Sequence, residues 1–458
     1  MNNNTHTLEH GDIGRTLLQY ALPSAVSGLI GAAYNIVDQI FIGHQVGVVG
    51  NAATNVVFPI VTLTNAIALM AGVGASAGFN IHLGKKNPDK AAQIVGNGLS
   101  LMIFSGLIIT LIVQLFLTPI LTFSGGTPDT LPFAIQYERI VALGIVFFIL
   151  STGGSAIIRA DGSPTYALVS TLAGAVLNIF LDALFMIVFP FGILGAAWAT
   201  LISQIVSGIL VMIYFAFHFQ SAKLKLHYLM PSRNGYSAIF KAGGGPFLNH
   251  ISMAVVQILL NKSLVKWGAA SVYGSDIPLA CAGIVAKVSS ITSAIVIGIA
   301  QGAQPIISYN YGAKNYKRVR QTGVLAIKAV LAFSFVVFIC FQLFPTQIAK
   351  LFGTGDELLY EFSASYFRIF MMLICISGLQ ITVGNFFTAL GKPGLSILIS
   401  ASRQLIAFPV LLAILPGLLG LNGVLISGPF ADGICAAIAA FLFIREYRHL
   451  QTLETTCN

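Results

Sequence analysis

Two acidic side chains lie inside long apolar runs of this sequence, where ionisable groups are rare. Asp38 lies in the first of these runs and Asp182 in the fifth. A carboxylate near the middle of a bilayer is costly unless it is paired, hydrated or protonated. Neither of the two runs contains a lysine or an arginine. The two aspartates therefore predict a site that exchanges a proton or a small cation, which is the core of a coupled transporter.

The composition indicates a membrane protein. The chain has 458 residues, of which 56% are hydrophobic and 9% are charged, and its mean hydropathy is +0.86. Apolar runs of about 20 residues, the length that crosses a bilayer core, recur along the chain. We predict an all-α integral membrane protein with twelve transmembrane spans, at 17–42, 52–80, 93–117, 134–158, 166–189, 193–217, 238–266, 279–308, 321–344, 362–390, 395–415 and 421–444.

The net charge of +9 is explained by topology. An even number of spans puts both termini on one side, and the connections on that side carry sixteen of the lysines and arginines. The opposite connections carry only Arg139, Lys266 and Lys350. The positive-inside rule then predicts that both termini are cytoplasmic. The basic charge is therefore no indication of nucleic-acid binding.

Counting about 1.5 Å per helical residue places five polar side chains at similar depth in the outer half of the first six spans. Asp38, Asp182 and Thr200 of span six lie at similar depth. Tyr34 and Asn178 lie one turn below the two acids, each on the same helix face as its acid. Carboxylate, amide and hydroxyl oxygens suit a hard cation, and paired carboxylates suit proton uptake. We therefore predict a cation-coupling site here, with Na⁺ possible at Asp38, Asn178, Asp182 and Thr200.

The sequence contains an internal repeat. Residues 84–87 (Gly-Lys-Lys-Asn) recur at 312–315 (Gly-Ala-Lys-Asn), and the glycines that follow span five recur after span eleven. Each half has six spans, so the halves have the same orientation, as in transporters that handle substrate at the interface between two lobes. We predict two pseudo-symmetric six-helix lobes, an N-lobe at 1–225 and a C-lobe at 226–458.

The repeat has no counterparts of the two acids. Asp38 corresponds to Asn261 and Asp182 lies near the equivalent of Leu411. Acids that served only to hold the fold together would be expected in both lobes. Their confinement to the N-lobe favours a functional role.

Several segments resemble the multidrug and toxic compound extrusion (MATE) family over essentially the whole chain. They are Pro23, Tyr34-Asn35, Val37-Asp38, Leu177-Asn178, Leu181-Asp182 and the run Gly-Ala-Ala-Trp-Ala-Thr at 195–200. Within the family the sequence is most similar to the bacterial MepA-like and DinF-like branch. The resemblance implies a drug/cation antiporter whose two lobes form a V around a central cleft.

The resemblance also implies roles for single residues. Asp38, Asn178, Asp182 and Thr200 match positions that bind a proton or Na⁺ in the N-lobe, and Pro23 matches a proline at which the first helix bends. Members with a cation site in the C-lobe have acids in spans seven and ten. In this sequence those spans carry Gln257, Asn261 and Asn385 instead, which argues against a second Na⁺ site.

Candidates for the substrate cleft are Gln257, Asn261, Met253, Lys287 and Arg403. Lys287 and Arg403 lie within apolar spans, where such groups either line a cavity or pair with polar neighbours, and the sequence leaves both alternatives open. Flexible methionines provide adaptable apolar surfaces for varied substrates.

We therefore predict an efflux antiporter in the bacterial plasma membrane that exports mostly cationic or amphiphilic drugs in exchange for H⁺ or Na⁺. We expect it to be a monomer with no cofactor beyond the coupling ion. The alternative is a flippase for lipid-linked precursors or saccharides, which a related two-lobe fold would also serve. Its diphosphate headgroup would need a strongly cationic cavity. An enzyme is not expected, since the sequence has no metal cluster, phosphate loop or catalytic triad spacing.

Overall fold

The structure is a computed structural model that describes residues 3–221, 224–350 and 357–457. Within these ranges all regular structure is helical. Outside the spans, a short N-terminal helix covers Asn3–His10, a 3₁₀ turn covers Leu226–Leu229 and a short helix covers Pro345–Lys350. The spans are Ile13–Gln45, Val48–Gly84, Pro88–Phe123, Leu131–Ala160 (with a 3₁₀ turn at Ala142–Gly144), Pro164–Val188, Ile193–His218, Arg233–Ala269, Asp276–Gly312, Tyr316–Leu343, Glu357–Ala389 (with a break between Phe370 and Ile374), Pro393–Leu419 and Leu421–Cys457.

Each predicted span falls within one of these helical stretches to within a residue at either end. Ten helices among the described residues are long and apolar enough to cross a membrane, and the bent pair Glu357–Phe370 and Ile374–Ala389 makes an eleventh. The twelfth span, span seven at Arg233–Ala269, is not among these helices. Its 37 residues are long enough to cross a membrane, but polar side chains such as Asn249, His250 and Gln257 lower its hydropathy. The all-helical prediction is confirmed, and the twelve-helix arrangement is consistent with these spans.

The backbone repeats between the two halves at the turns that follow spans two and eight. Among the residues that the structure describes, two that are not glycine have a positive φ: Lys86 at 55° and Lys314 at 60°. The next residue in each turn, Asn87 or Asn315, caps the following span by accepting a backbone N–H bond at 3.2 Å. This equivalence shows the repeat in three dimensions. The predicted boundary between residues 225 and 226 stays a prediction.

Both ends of the described chain lie at the same face of the molecule, at the start of span nine. Arg318 donates from Nε to the carbonyl of Leu8 at 2.9 Å, and Arg320 forms an ion pair with Glu454. We call this the terminal face and the other end of the spans the opposite face. The sequence analysis did not predict the N-terminal helix, because its residues are polar.

The lobes pack closely near the terminal face. Gly298 of span eight lies against the backbone of Ala25 in span one, and Gly243 of span seven lies against the backbone of Met70 in span two. A methyl group at either glycine would overlap its neighbour. Small residues are what allow helices to approach this closely in a membrane.

The two lobes have separate cores towards the opposite face. One buried cluster includes N-lobe residues together with C-lobe residues near the terminal face, such as Tyr309 and Leu450. A second cluster contains only C-lobe residues, among them Leu260, Phe341 and Phe408. The lobes are thus joined at the terminal face and separate beyond it, which is the geometry of a V.

Span one passes through Pro23 as one continuous helix from Ile13 to Gln45. A proline removes one backbone hydrogen bond from a helix and commonly kinks it, but the helix here is not broken. The bend that the family resemblance implies at Pro23 therefore stays a prediction for another conformation.

Candidate site in the N-lobe and central cavity

The two membrane aspartates are buried, and three of their four carboxylate oxygens have no hydrogen-bond partner among the described residues. The exposed fraction is 8% for Asp38 and 0% for Asp182. Oδ1 of Asp38 and both carboxylate oxygens of Asp182 accept no hydrogen bond within the described structure. The two groups are close enough to interact electrostatically. Buried polar atoms are nearly always satisfied, so this pair of acids requires a functional or chemical explanation.

The other three predicted side chains line a central cavity. Tyr34, Asn178 and Thr200 line that cavity, whereas Asp38 and Asp182 do not. Neither amide atom of Asn178 has a hydrogen-bond partner among the described residues, and Tyr34 interacts electrostatically with Asp38. Oxygen atoms that a cation or a proton would satisfy are thus concentrated at one place, between the N-lobe interior and the cavity.

The sequence analysis missed two residues of span four beside this site. Tyr137 lies near Asp38 and Asp182 and close to the side chain of Thr200. Glu138 is 1% exposed, and its Oε2 has no partner within the described ranges. The signal was present in the sequence, since Glu138 is an acid within an apolar span.

The carboxylates of Asp38, Glu138 and Asp182 do not meet at one point. No group of three or more His, Cys, Asp or Glu side chains in the described part of the chain is placed to hold one metal ion. Glu138 is therefore not a third ligand beside the two aspartates. A cation at this site would rely on two carboxylates and on neutral oxygens.

The cavity between the lobes has a volume of about 790 Å³. At its terminal side, Nη2 of Arg159 in span four donates to Oε1 of Gln301 in span eight at 2.9 Å. Closer to the terminal face, Nε2 of Gln304 donates to Oγ of Ser76 at 2.8 Å, again across the lobes. These bonds close the cavity at one end, and it extends from them towards the opposite face.

Three of the five predicted cleft residues line this cavity, namely Met253, Gln257 and Arg403. Asn261 does not; it lies one turn beyond Gln257 and accepts a hydrogen bond from it at 3.0 Å. Lys287 is exposed, and its neighbours Ala286 and Ser289 line the cavity in its place. The assignment of Asn261 and Lys287 to the substrate cleft stays a prediction.

Arg403 is paired with an acid that the sequence analysis overlooked. Its Nε donates to Oδ1 of Asp432 in span twelve at 2.5 Å, and both residues line the cavity. The exposed fraction of Asp432 is 7%. The C-lobe thus also has a buried carboxylate, but unlike the N-lobe pair it has a fixed cation beside it.

Comparisons with known proteins agree with this architecture. The chain is 26% identical over 451 residues to the multidrug export protein MepA of Staphylococcus aureus, covering 98% of this chain and 97% of that protein. A solved structure of MATE in the straight conformation superposes with a TM-score of 0.91 at 22% identity, covering 99% of this chain and 100% of that one. An outward-facing multidrug resistance MATE transporter of the MOP superfamily superposes with a TM-score of 0.91 at 21% identity and 99% coverage of both chains.

The model of the MatE family matches the chain twice, at residues 23–184 and 252–412. The two matches begin 229 residues apart (252 − 23), close to the spacing of the repeated landmarks in the sequence. They include most spans of both lobes, with Asp38, Glu138 and Asp182 inside the first match. The chain therefore belongs to the MatE family, the multidrug and toxic compound extrusion family that its motifs resemble.

Proposed function

We propose that this protein is an antiporter that exports amphiphilic drugs from the cell in exchange for H⁺ or Na⁺. The observation that carries the proposal is the buried pair Asp38 and Asp182, whose unpartnered oxygens lie next to the wall of a cavity between two lobes. Such a pair is stable only when a cation or a proton compensates it. The coupling ion would be the only cofactor, bound by Asp38, Asn178, Asp182 and Thr200.

The cavity supports the drug-transport part of the proposal. Its volume is within the range of small-molecule sites, and its wall combines the flexible side chain of Met253 with the aromatic rings of Phe148 and Phe370. Soft and aromatic surfaces of this kind accept varied apolar ligands. The relative MepA carries the name of a multidrug export protein, which favours the same class of substrate here.

The direction of opening follows if the termini are cytoplasmic, as the distribution of basic residues predicts. The lobes are joined at the terminal face, so the cavity would then face the outside of the cell. We infer that this is the state that releases drug and accepts the coupling cation. The protein would work as a monomer in a bacterial plasma membrane.

The flippase alternative receives less support from the cavity. Its basic lining side chains among the described residues are Arg159, Arg403 and His250. Arg159 is bound to Gln301 and Arg403 is neutralised by Asp432. A lipid-linked diphosphate would need several free cationic groups, so we favour drug export.

The test is the ion dependence of dye efflux from vesicles that contain the purified protein. We expect an imposed H⁺ or Na⁺ gradient to drive efflux, and Asp38→Asn and Asp182→Asn to reduce it to background. Asp129→Asn is the matched control, since Asp129 is an exposed aspartate of the same lobe. Gradient-driven efflux at normal rates in both Asp38→Asn and Asp182→Asn would exclude the N-lobe pair as the coupling site. Movement of a lipid-linked diphosphate without dye efflux would favour the flippase.

A further inference from the structure

The ion pair between Arg403 and Asp432 has unused binding capacity that faces the cavity. A guanidinium has five N–H donors. Among the described residues, Arg403 uses one of them, Nε, to donate to Asp432. The exposed fractions of the two side chains are 23% for Arg403 and 9% for Asp432. The pair therefore presents a row of donors beside a carboxylate that is already partly neutralised.

The local backbone is unusual at this point. Span eleven is interrupted by a π-helical segment, Ser402–Ala407, and Arg403 is its second residue. Wide turns of this kind in an otherwise α-helical span are common at functional sites. The next residue, Gln404, is 5% exposed, and its Oε1 has no partner among the described residues. Polar groups are thus concentrated where Arg403 meets the cavity.

An aromatic surface lies one turn away. Phe370 of span ten packs against Gly428 of span twelve, four residues before Asp432, and both Phe370 and Phe408 line the cavity. A flat apolar ligand resting on the half-buried ring of Phe370 would place its polar substituents near Arg403 and Asp432. The subsite thus combines an apolar platform with a fixed dipole.

The charges of the cavity wall decide which ligand fits this dipole. Among the described residues that line the cavity, Asp432 is the one acidic side chain, and its carboxylate accepts a hydrogen bond from Arg403. A monocation next to Asp432 meets a carboxylate that Arg403 already partly neutralises, and it offers no anionic group to the free Nη donors of the guanidinium, which repel it. A zwitterion can instead place its carboxylate on the free Nη groups of Arg403 and its cationic group near Asp432, with the ion pair intact.

We propose that Arg403 and Asp432 form a charge-selecting subsite in the C-lobe that favours zwitterionic over monocationic amphiphiles. The proposal rests on the proposed drug-binding function of the cavity and specifies its substrate class. Removal of Arg403 would free the carboxylate of Asp432 and reverse the preference. Removal of Asp432 would leave an unpaired guanidinium, which repels monocations and retains the carboxylate of a zwitterion.

The experiment measures equilibrium binding of two dyes by fluorescence anisotropy with the purified full-length chain at pH 7. The probes are rhodamine 6G, an ethyl ester that is a monocation, and its free acid, a zwitterion. We expect the wild type to prefer the free acid by about tenfold, since charge-assisted hydrogen bonds contribute on this scale. Arg403→Gln should reverse the preference, and Asp432→Asn should strengthen it by weakening binding of the ester.

The control is Lys392→Gln. Lys392 forms a second ion pair of the C-lobe with Glu446 at 2.5 Å, and neither residue lines the central cavity. Its loss should leave the dye preference unchanged. The double variant Arg403→Gln/Asp432→Asn leaves no charge alone, so it provides the test even if a single variant does not assemble, and it should bind the two dyes equally.

A wild-type preference that persists in Arg403→Gln, or in the double variant, would overturn the subsite while leaving the proposed export function intact. Failure of the wild type to bind either dye would contradict drug binding by the cavity itself, and the subsite with it. The ion-gradient experiment on Asp38 and Asp182 is independent of both outcomes, because it measures coupling and not the charge of the ligand.

Discussion

Arg159 of span four donates a hydrogen bond from Nη2 to Oε1 of Gln301 in span eight, over 2.9 Å. The bond joins the two lobes at the closed end of the cavity. Arg159 is 8% exposed, so the guanidinium depends on this amide for compensation. The outward-open arrangement proposed above therefore rests in part on a single bond between a charged and a neutral side chain.

Gln301→Ala should weaken the closed end of the cavity. A buried charged group that loses its partner costs about 1–3 kcal/mol or more, which corresponds to a shift of about tenfold or more in the balance between conformations. We expect the terminal face to open more often, as measured by electron spin resonance distances between labels at Lys85 and Lys317, both exposed near that face.

The control for that measurement is Gln257→Ala. Gln257 also lines the cavity, but its side chain bonds within span seven, to Asn261, and not across the lobes. Identical distance distributions in Gln257→Ala and Gln301→Ala would show that the Arg159 bond does not hold the lobes together.

A second prediction concerns the N-terminal helix. Arg318 of span nine donates to the carbonyls of Leu8 at 2.9 Å and Gly11 at 2.5 Å, and the side chain of Leu8 is 1% exposed. A helix of eight residues is not stable alone, so these bonds help to hold it in place, together with the bonds that Asn310 donates to the carbonyl of Leu8 and Tyr309 donates to Glu9. Arg318→Ala should raise amide hydrogen exchange in residues 3–11 by about tenfold or more. Lys317→Ala, an exposed neighbour, should leave exchange unchanged; equal effects of the two variants would contradict the prediction.

Hydropathy and residue counting predicted much of this molecule because both depend on position along a helix. The spans follow from their apolar length, and the similar depths of Asp38 and Asp182 follow from a fixed rise per residue. The structure brings the two acids within electrostatic reach of each other and Asp38 close to Tyr34. Their role in cation binding stays a prediction, since the geometry shows proximity and burial but no transport.

Two kinds of feature could not be predicted from the sequence. One is the direction of a side chain, which depends on the rotation of its helix about the axis, and the other is the pairing of side chains from distant spans. For Lys287 the sequence left open whether the side chain lines the cleft or pairs with polar neighbours, and the structure places it exposed on span eight. Arg403 and Asp432 are 29 residues apart in sequence and meet only because spans eleven and twelve pack side by side. No periodicity in either span identifies the other as its partner. Glu138 was missed for a related reason, since its burial comes from neighbouring spans.

A third prediction concerns the repeated turns. Lys86 and Lys314 have φ of 55° and 60°, a left-handed conformation that costs a side-chain-bearing residue about 1 kcal/mol. Lys86→Gly or Lys314→Gly should therefore raise the free energy of unfolding by a few tenths to about 1 kcal/mol, after the entropy of the unfolded chain is included. The measurement is the melting temperature in detergent, which should rise. Lys85→Gly is the control: φ of Lys85 is −74°, so glycine there should be neutral or destabilising. A lower melting temperature for both Lys86→Gly and Lys314→Gly would contradict the strain argument.

The last prediction concerns the exchange of cation and drug. Asp38 and Asp182 are both buried, and a proton or Na⁺ that neutralises them would favour the conformation in which the N-lobe site is compensated. A ligand shifts such an equilibrium only through different affinities for the two states. By linkage, bound cation should lower the affinity for drug, and bound drug should lower the affinity for the cation by the same factor.

The sign of the pH effect follows directly. Low pH loads the aspartates with protons and so weakens drug binding, whereas high pH strengthens it, by at most about tenfold per pH unit for each proton exchanged. Binding of rhodamine 6G between about pH 5.5 and 8, with and without Na⁺, measures this, since the dye is a cation throughout. Asp38→Asn should flatten the pH profile, and Asp129→Asn should not. Weaker binding in Na⁺ at high pH would identify Na⁺ as a second coupling ion at the same oxygens. An affinity that is indifferent to both pH and Na⁺ would remove cation exchange at the N-lobe site as the driving step of export.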